Sequence, residues 1–281
     1  MTGRLVICAT PIGNLGDASP RLAEALRQAD VVYAEDTRRS RVLLSALGID
    51  RPLRSYFIGN EEQRSEELAG HLEAGRTVGL ITDAGMPSIS DPGLSAVQSA
   101  RRVGAEVQVV PGPSAVTSAL AVSGFDAQRF VFEGFLPRKG MERRERLAAL
   151  AFEPRTIVVF SATHRATKDL ADLADHLGAD RPVAVCRELT KRHEEVRWGT
   201  LAEAIAHLED RGARGEFTVV IQGAAPVVPS VDEALAEALR RISAGESLAA
   251  AVREVATQSG VRRTLLYEAA LDATKQTPTV D

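Results

Sequence analysis

The sequence lacks several features that would assign it to a class of protein at once. It has no run of about 18 apolar residues, so no segment predicts a membrane span. Its first residues enter an apolar, strand-like run without a long apolar region or a small-residue cleavage site, so we expect no secretory signal. Its two cysteines, Cys8 and Cys186, both lie in apolar runs, where buried reduced thiols are usual. These absences argue against a disulfide framework and a metal site, and they predict a cytoplasmic protein.

The sequence also lacks an excess of positive charge. It has 34 basic and 38 acidic residues, which gives a formal net charge of −4. Such a chain has no overall attraction to nucleic acid, so an RNA ligand would require a local basic surface. The hydrophobic share of 44% and the charged share of 26% are those of a globular protein. The length of 281 residues allows two domains.

What the sequence does have is a regular alternation of strand-like and helical patterns. The predicted strands are Leu5–Ala9, Val31–Ala34, Leu53–Tyr56, Val78–Thr82, Val107–Val110, Phe130–Glu133, Ile157–Phe160, Val183–Arg187 and Phe217–Ile221. Amphipathic helical patterns and short loops separate them, which predicts an α/β fold with mainly parallel sheets. Nine strands are many for one sheet, and Pro111-Gly112-Pro113 interrupts the pattern. We therefore predict α/β domains over residues 1–113 and 114–224.

A different pattern follows the last predicted strand. The segment Gly223–Ser230 is rich in alanine and proline and predicts a linker. Three helical patterns then occupy Val231–Ile242, Leu248–Ala256 and Arg263–Ala270, which predicts a small helical segment over residues 231–272. Residues 275–281 have the composition of a disordered tail.

Several loops that follow strands of the first predicted domain are suited to binding a ligand. In open α/β sheets, ligands bind beyond the carboxyl ends of the strands. The first such loop, Ala9–Asp17, contains Pro11 and two glycines but no G-x-G-x-x-G pattern, which disfavours a dinucleotide. An ordinary strand-to-helix turn is an equally good interpretation of this loop alone.

The most informative loop is Thr82–Gly93, which is dense in aspartate, glycine, proline and serine. Asp83 at the strand end could accept hydrogen bonds from a ribose hydroxyl or an ammonium group. Asp91 is predicted to cap a helix that begins at Pro92. A further loop, Pro111–Ala115, places Ser114 where it could either cap the next helix or meet a ligand.

Taken in order, these segments resemble a known family. The matching stretches are Ala9–Leu15, Ala34–Arg38, Asp83–Gly93, Pro111–Ala115, Phe132–Lys139 and Arg187–Lys191. Together they resemble the ribosomal small-subunit methyltransferase I family of the tetrapyrrole-methylase superfamily. The resemblance covers about residues 4–223. It implies two α/β domains with S-adenosylmethionine held between them, a homodimer, and 2′-O-methylation of a cytidine ribose in 16S rRNA of the small ribosomal subunit.

The resemblance also implies which positions contact the cofactor. These positions are Pro11, Asp83, Ala84, Gly85, Ser90, Ser114, Ala115, Phe160 and Ala224.

Phosphate contacts require basic side chains near the same cleft. The candidates for RNA binding are Arg38, Arg39, Arg138, Lys139, Arg143, Arg144, Arg165 and Arg187. The segment Phe135–Gly140 is interpreted as a mobile loop that could gate the substrate. The alternative for any one of these clusters is a solvated, arginine-rich surface.

Methyl transfer to a ribose hydroxyl is an in-line displacement in which the cofactor supplies the electrophile. The protein orients the reactants, and a carboxylate or a neutral lysine could accept the hydroxyl proton. The candidates are Glu188, Lys191 and Asp36, with Glu35 as a rival, although Glu188 and Lys191 could equally form a structural ion pair. Two other functions remain open at this point, which are methylation of a tetrapyrrole and non-enzymatic binding of nucleic acid.

Overall fold

Five parallel strands form the first sheet of the protein, for which a computed structural model describes residues 2–225 and 230–276. The strands are β1 (Arg4–Cys8), β2 (Val31–Ala34), β3 (Leu53–Ser55), β4 (Thr77–Ile81) and β5 (Glu106–Val110). They follow the order β3-β2-β4-β1-β5, and every neighbouring pair is parallel. The central strands are almost completely buried, as their continuous apolar runs predict. At one edge, β5 is largely exposed.

Helices cover both faces of the first sheet. They are α1 (Pro20–Gln28), α2 (Thr37–Ala46), α3 (Glu61–Glu73) and α4 (Leu94–Arg102). Leu22 and Leu26 of α1 pack with Val6 and Val32 on one face. On the other face, α3 and α4 pack their apolar residues against the alternate residues of the same strands. The predicted start of α4 at Pro92 is wrong, because Gly93 has a φ of +149° and stands at the N-cap instead of Asp91.

The second sheet also has five strands, but most of its pairs are antiparallel. The strands are β6 (Phe130–Phe135), β7 (Thr156–Ser161), β8 (Pro182–Arg187), β9 (Glu195–Thr200) and β10 (Phe217–Ile221). Their order is β6-β7-β10-β8-β9, and only β6 and β7 pair in parallel. The prediction of mainly parallel sheets is therefore right for the first sheet and wrong for the second. Strand β9, an edge strand with charged residues between its apolar ones, was not predicted.

Four helices accompany the second sheet, namely α5 (Ala115–Ser123), α6 (Gly140–Ala151), α7 (Ala166–Leu177) and α8 (Leu201–Arg211). Helices α6, α7 and α8 pack against one face, where Leu147, Leu170 and Leu201 join the core. Helix α5 packs against the other face through Val116 and Leu120. The strands of the two sheets fall on either side of residue 114, and the domain boundaries 1–113 and 114–224 stay a prediction.

The described residues that follow Ala224 form a separate compact unit. Its helices are α9 (Val231–Ser243), α10 (Leu248–Ser259) and α11 (Arg263–Gln276). All three were predicted, but α11 extends past the predicted Ala270 and includes residues 275 and 276, which the prediction assigned to a disordered tail. Ser230 and Glu233 close a capping box at the start of α9, and Ala238, Val252 and Leu266 lie at the centre of the unit. Parts of the predicted linker (226–229) and tail (277–281) lie outside the described residues. Within the described ranges, no helix combines the length and apolarity needed to cross a membrane.

Candidate active site

A cavity of about 480 Å³ lies between the carboxyl ends of the first-sheet strands and one end of the second sheet. This volume falls within the usual range for sites of small molecules and cofactors. Of the predicted cofactor positions, those that line the cavity are Asp83, Ala84, Gly85, Ser90, Ser114, Ala115 and Phe160. Ser114 occupies the N-cap position of α5, but its side chain makes no capping hydrogen bond. Its hydroxyl can therefore serve a ligand.

Two predicted cofactor positions do not line this cavity. Pro11 is buried within its loop, and its neighbour Ile12 lines the cavity in its place. Ala224 lies at the opposite end of the second sheet, where its N–H donates to the carbonyl of Glu153 at 2.7 Å. The direction of β10 explains the position of Ala224. Since β10 runs antiparallel to β7 and β8, it is the start of β10, around Phe217, that reaches the cavity.

The loop 82–93 is held in an unusual backbone conformation. Gly85 (φ +83°) pairs with Thr10 through two backbone hydrogen bonds of 2.9 and 3.1 Å, which join the two strand-end loops. Ser88 and Ser90 both adopt positive φ, at 73° and 63°, which L-residues rarely do. The buried hydroxyl of Ser88 has no hydrogen-bond partner in the described structure. Such strain is typical of ligand-binding loops.

Three carboxylates, Glu35, Asp83 and Asp91, line the same side of the cavity. Asp83 accepts a hydrogen bond from the backbone N–H of Asp36 at 3.1 Å and forms an ion pair with Arg39 at 3.0 Å. Burial, together with the charge of Glu35, raises the pKa of Asp91 to about 7. Burial also raises the pKa of Glu35, and the charge of Asp83 acts in the same direction. A ligand that carries positive charge would relieve this repulsion.

The second sheet contributes a lysine held between two glutamates. The Lys191 ammonium group lies 2.8 Å from a carboxylate oxygen of Glu188 and 2.8 Å from one of Glu216. Lys191 and Glu216 line the cavity, and the predicted pairing of Glu188 with Lys191 is confirmed. Burial opposes the charge on Lys191, but the hydrogen bonds that its ammonium group donates to Glu188 and Glu216 raise its pKa. Lys191 is therefore protonated at neutral pH and cannot be a neutral base, which corrects one of the alternatives above.

The aliphatic part of Lys191 also contacts the first strand-end loop. A Cβ atom at Gly13 would lie 2.3 Å from the Cγ of Lys191, so a larger residue at position 13 would displace this lysine. Glu188 adopts a positive φ of 52°, and burial of its carboxylate is outweighed by hydrogen bonds from Lys191 and Glu216 that lower its pKa. Glu188 is thus a weak proton acceptor.

Asp36 lies next to the cavity but does not line it. Its carboxylate accepts a hydrogen bond from the backbone N–H of Arg38 at 2.8 Å, caps α2, and pairs with the Arg38 side chain at 2.7 Å. These hydrogen bonds hold the pKa of Asp36 well below its usual range. Glu35, one residue earlier, is the acidic residue that faces the cavity. The sequence analysis assigned no ligand role to Asp91, whose position in an aspartate-rich loop beside the cavity was the available signal.

The predicted RNA-binding residues fall into two groups. Exposed side chains belong to Arg38, Arg39, Arg138, Lys139 and Arg144. The other group is paired inside the fold. Arg143 is only 5% exposed, and its guanidinium contacts Asp169 and Asp172 at 2.8 and 2.6 Å. It also donates to the carbonyl of Pro137, as does Arg165.

The pairing of Arg143 and Arg165 has two consequences. It anchors the loop 136–139, which the sequence analysis interpreted as mobile. It also leaves Arg143 without access to an RNA ligand, because its donors already have buried partners. We therefore exclude Arg143 from the RNA surface. Arg187, the last of the predicted contacts, is partly buried and pairs with Glu195 at 3.0 Å.

Within the described ranges, no cluster of histidine, cysteine, aspartate and glutamate side chains could hold a metal ion.

Comparison with known proteins identifies this architecture. The model of the tetrapyrrole (corrin/porphyrin) methylase family matches residues 4–205. A solved cobalt precorrin-4 methyltransferase of cobalamin biosynthesis has a TM-score of 0.59 at 21% identity, covering 78% of this chain and 94% of that one. Diphthine synthase has a TM-score of 0.59 at 16% identity, covering 78% and 89%. At these identities the solved structures support the fold alone. The chain belongs to the tetrapyrrole methylase family, and it is a methyltransferase that uses S-adenosylmethionine.

Relatives of higher identity narrow the assignment. The chain is 47% identical over 98% of its length to a Mycobacterium tuberculosis protein named "Ribosomal RNA small subunit methyltransferase I", of which 97% is covered. A Thermotoga maritima protein of the same name is 48% identical, over 79% of this chain and 99% of that protein. Within its family, the chain belongs with these methyltransferase I proteins.

Proposed function

We propose that the protein transfers a methyl group from S-adenosylmethionine to the ribose 2′-hydroxyl of a cytidine in the RNA of the small ribosomal subunit. The observation that carries this proposal is the identity of 47% to a relative named for that RNA, over almost the whole of both chains. Neighbours named for tetrapyrrole or cobalamin chemistry share only the fold, at 20–21% identity. The proposed place of action is the cytoplasm, where ribosomal subunits are found.

The residues around the cavity suit this cofactor. When bound, S-adenosylmethionine supplies a methyl group made electrophilic by its sulfonium. Glu35, Asp83 and Asp91 give the first-sheet side a negative potential that favours a cationic ligand. On the opposite side, protonated Lys191 can bind a carboxylate or a phosphate group. Ser114 lines the cavity, and its hydroxyl, which makes no capping hydrogen bond, offers a further hydrogen bond.

The three residues proposed above as catalytic, Glu188, Lys191 and Asp36, are better suited to other tasks than accepting a proton. Glu188 and Lys191 form a fixed pair at the cavity wall that suits orientation of the substrate, and Asp36 maintains the start of α2. A proton acceptor needs a pKa near the working pH, and the pKa of about 7 gives Asp91 that property. We therefore propose Asp91 as the acceptor of the 2′-hydroxyl proton, with Glu35 as the alternative.

The proposed RNA surface is formed by Arg38, Arg39, Arg138, Lys139 and Arg144. All five side chains are exposed, and none of them is part of the buried cluster around Arg143. Such a local surface can bind RNA although the whole chain is slightly acidic. Most protein contacts to phosphates fix the register of a nucleic acid and carry no sequence information.

We also propose that the protein is a homodimer. The edge strand β5 supports this, because Val107 and Val109 are 38% and 55% exposed on a strand with unpaired backbone groups. Exposed apolar edges of this kind are normally covered by another chain or protected by charge.

A methyl-transfer assay tests the substrate class. Purified protein and S-adenosylmethionine with a labelled methyl group are incubated with small ribosomal subunits that lack this modification, and in parallel with uroporphyrinogen III. The proposal predicts labelled RNA and no labelled tetrapyrrole. Label found only in the tetrapyrrole would contradict the proposal and would show that the substrate is a tetrapyrrole.

A further inference from the structure

A second cavity, of about 200 Å³, lies on the α8 side of the second sheet. Val185 and Phe217 form its base, and both belong to the core between this sheet and α6–α8. The active-site cavity lies on the other side, where Cys186 and Thr218 of the same strands reach it. Phe217 lines both cavities, so they are neighbours, but the other residues around them are different.

Basic side chains dominate the rim of this second cavity, which we call the basic pocket. Its basic residues are Arg187, Arg197, His207, Arg211 and Arg214. Glu195 is the one carboxylate in its lining as described, and that carboxylate is already shared between Arg187 at 3.0 Å and His207 at 3.4 Å. The side chains of Arg197, Arg211 and Arg214 form no hydrogen bond or ion pair within the described parts of the chain, and all three are exposed. The pocket therefore has an uncompensated positive charge.

This arrangement matches the chemistry of a phosphate group. Like charges around a small cavity repel each other, and a bound anion would convert that repulsion into attraction. Guanidinium groups present several donors in a plane and bind phosphate oxygens in pairs. Arg187 is fixed in place because its Nε donates to the carbonyl of Arg214 at 2.8 Å, so part of the pocket is already organised.

The basic pocket also lies close to the active-site cavity. Both open at the end of the sheet where β8 finishes and β10 begins. Arg187, the last residue of β8, lines the basic pocket, whereas Leu189 and Lys191 in the turn that follows line the active-site cavity. Phe217 lines both cavities, and the backbone N–H of Glu188, the residue between Arg187 and Leu189, donates to the carbonyl of Glu216 at 3.0 Å beside it.

We propose that the basic pocket binds a backbone phosphate of the RNA substrate, on a nucleotide that flanks the one methylated in the active site. This inference rests on the proposed function, because it requires an RNA substrate. An RNA strand that places one nucleotide in the active site would reach the pocket past Phe217, which lines both cavities. A free phosphate or a nucleotide has the same chemistry, so the experiment must distinguish the two sources.

The test uses the variants Arg211→Gln and Arg214→Gln in the full-length protein. Arg101→Gln is the matched control, because Arg101 is exposed at the end of α4 and has no ion-pair partner in the described structure. Binding to undermethylated small ribosomal subunits is measured over a range of salt concentrations. Each pocket variant should bind about tenfold more weakly, with the log–log salt slope smaller in magnitude by about 0.7–0.9. Thermal unfolding confirms that all variants are folded.

Two further measurements separate the outcomes. Arg214→Lys keeps the charge and should recover most of the salt slope. Inorganic phosphate and cytidine monophosphate are titrated against the wild-type protein and the pocket variants. Pocket variants that bind subunits as the control does, with an unchanged slope, would overturn the inference. Pocket variants that bind cytidine monophosphate more weakly but bind subunits normally would also overturn it, because the pocket would then bind a free nucleotide. If the wild-type protein itself neither binds nor methylates subunits, the proposed function fails first.

Discussion

At the scale of single residues, the carboxylates of the active-site cavity differ in their surroundings. Asp83 pairs with Arg39, whereas Glu35 and Asp91 have no ion-pair partner among the described residues. Asp83 also accepts a hydrogen bond from the backbone N–H of Asp36, and it lines the cavity where a cationic or hydroxylated ligand would lie. Asp91 and Glu35 respond to pH and to ligand binding.

The first prediction concerns Asp83. Asp83→Asn keeps an acceptor for the Asp36 N–H but removes the negative charge. Loss of one charge-assisted interaction should weaken S-adenosylmethionine binding by about tenfold. Isothermal titration calorimetry measures this, with Glu24→Gln as a control that removes an exposed charge from α1. Unchanged affinity in Asp83→Asn would remove Asp83 from the cofactor site.

The second prediction concerns Asp91 and pH. Its pKa rises from 3.8 to about 7 on folding, so the folded protein holds this proton more tightly than the unfolded chain does. Stability due to this group is therefore present at low pH and is lost as pH rises from about 4 to about 7. The Asp91→Asn variant has no carboxylate at this position and therefore does not lose this stability as pH rises. At pH 8 and without cofactor, the Tm of the variant should exceed that of the wild-type protein by about 2–4 °C or more.

The same variant should gain little or nothing at pH 4, where Asp91 of the wild-type protein is protonated. Thermal unfolding at several pH values gives the comparison, with Asp210→Asn on the exposed side of α8 as the control. A difference between Asp91→Asn and wild-type protein that does not change with pH would contradict the raised pKa.

At the scale of elements, α6 carries two adjacent arginines with opposite roles. Arg143 is buried against Asp169 and Asp172 of α7, whereas Arg144 is exposed. Arg143→Ala leaves buried charge without a partner and should lower the free energy of unfolding by about 3 kcal/mol. Arg144→Ala should change it by no more than about 0.5 kcal/mol and should instead weaken binding to ribosomal subunits.

Urea denaturation and subunit-binding assays on both variants check this prediction. The two residues serve as controls for each other, because they have the same side chain and adjacent positions in one helix. Equal stability of the two variants would mean that the Arg143 cluster contributes nothing to the fold.

The same elements indicate how far the sequence could predict the structure. Strands β1 and β4 are continuous apolar runs, and the sequence located them within a residue or two. Strand β9 was missed because Glu195 and Arg197 alternate with its apolar residues at an exposed edge. Local pattern does not determine strand direction, and because β10 runs antiparallel to β7 and β8, Ala224, which the resemblance implied, follows the end of β10 that lies away from the cavity.

The surroundings of individual side chains were also beyond what the sequence could predict. The burial of Arg143 depends on Asp169 and Asp172, which are 26 and 29 residues away. No local pattern links these positions. By contrast, Asp83, Ser114 and Lys191 lie in loops that follow strands, and all three line the cavity because these strand ends meet there.

At the scale of the whole molecule, the dimer proposal depends on β5. Val109→Lys places a charge on the exposed edge and should convert the dimer to a monomer at micromolar concentration. Light scattering measures the mass, and Ile58→Lys is the control, because Ile58 is 78% exposed away from β5. A wild-type monomer under these conditions would contradict the proposed dimer, and a dimeric Val109→Lys variant would place its interface elsewhere.

The central claim is that the methyl group is transferred to a ribose hydroxyl of RNA, and the position of the transferred label tests it most directly. Small ribosomal subunits labelled by the protein are extracted, and their RNA is hydrolysed with alkali. Alkaline cleavage requires a free 2′-hydroxyl next to the phosphate, so a 2′-O-methylated nucleotide survives within an alkali-resistant dinucleotide. We predict that the label appears in one such dinucleotide and that its 5′ nucleoside is cytidine. Label released in mononucleotides would place the methyl group on a base and contradict the account.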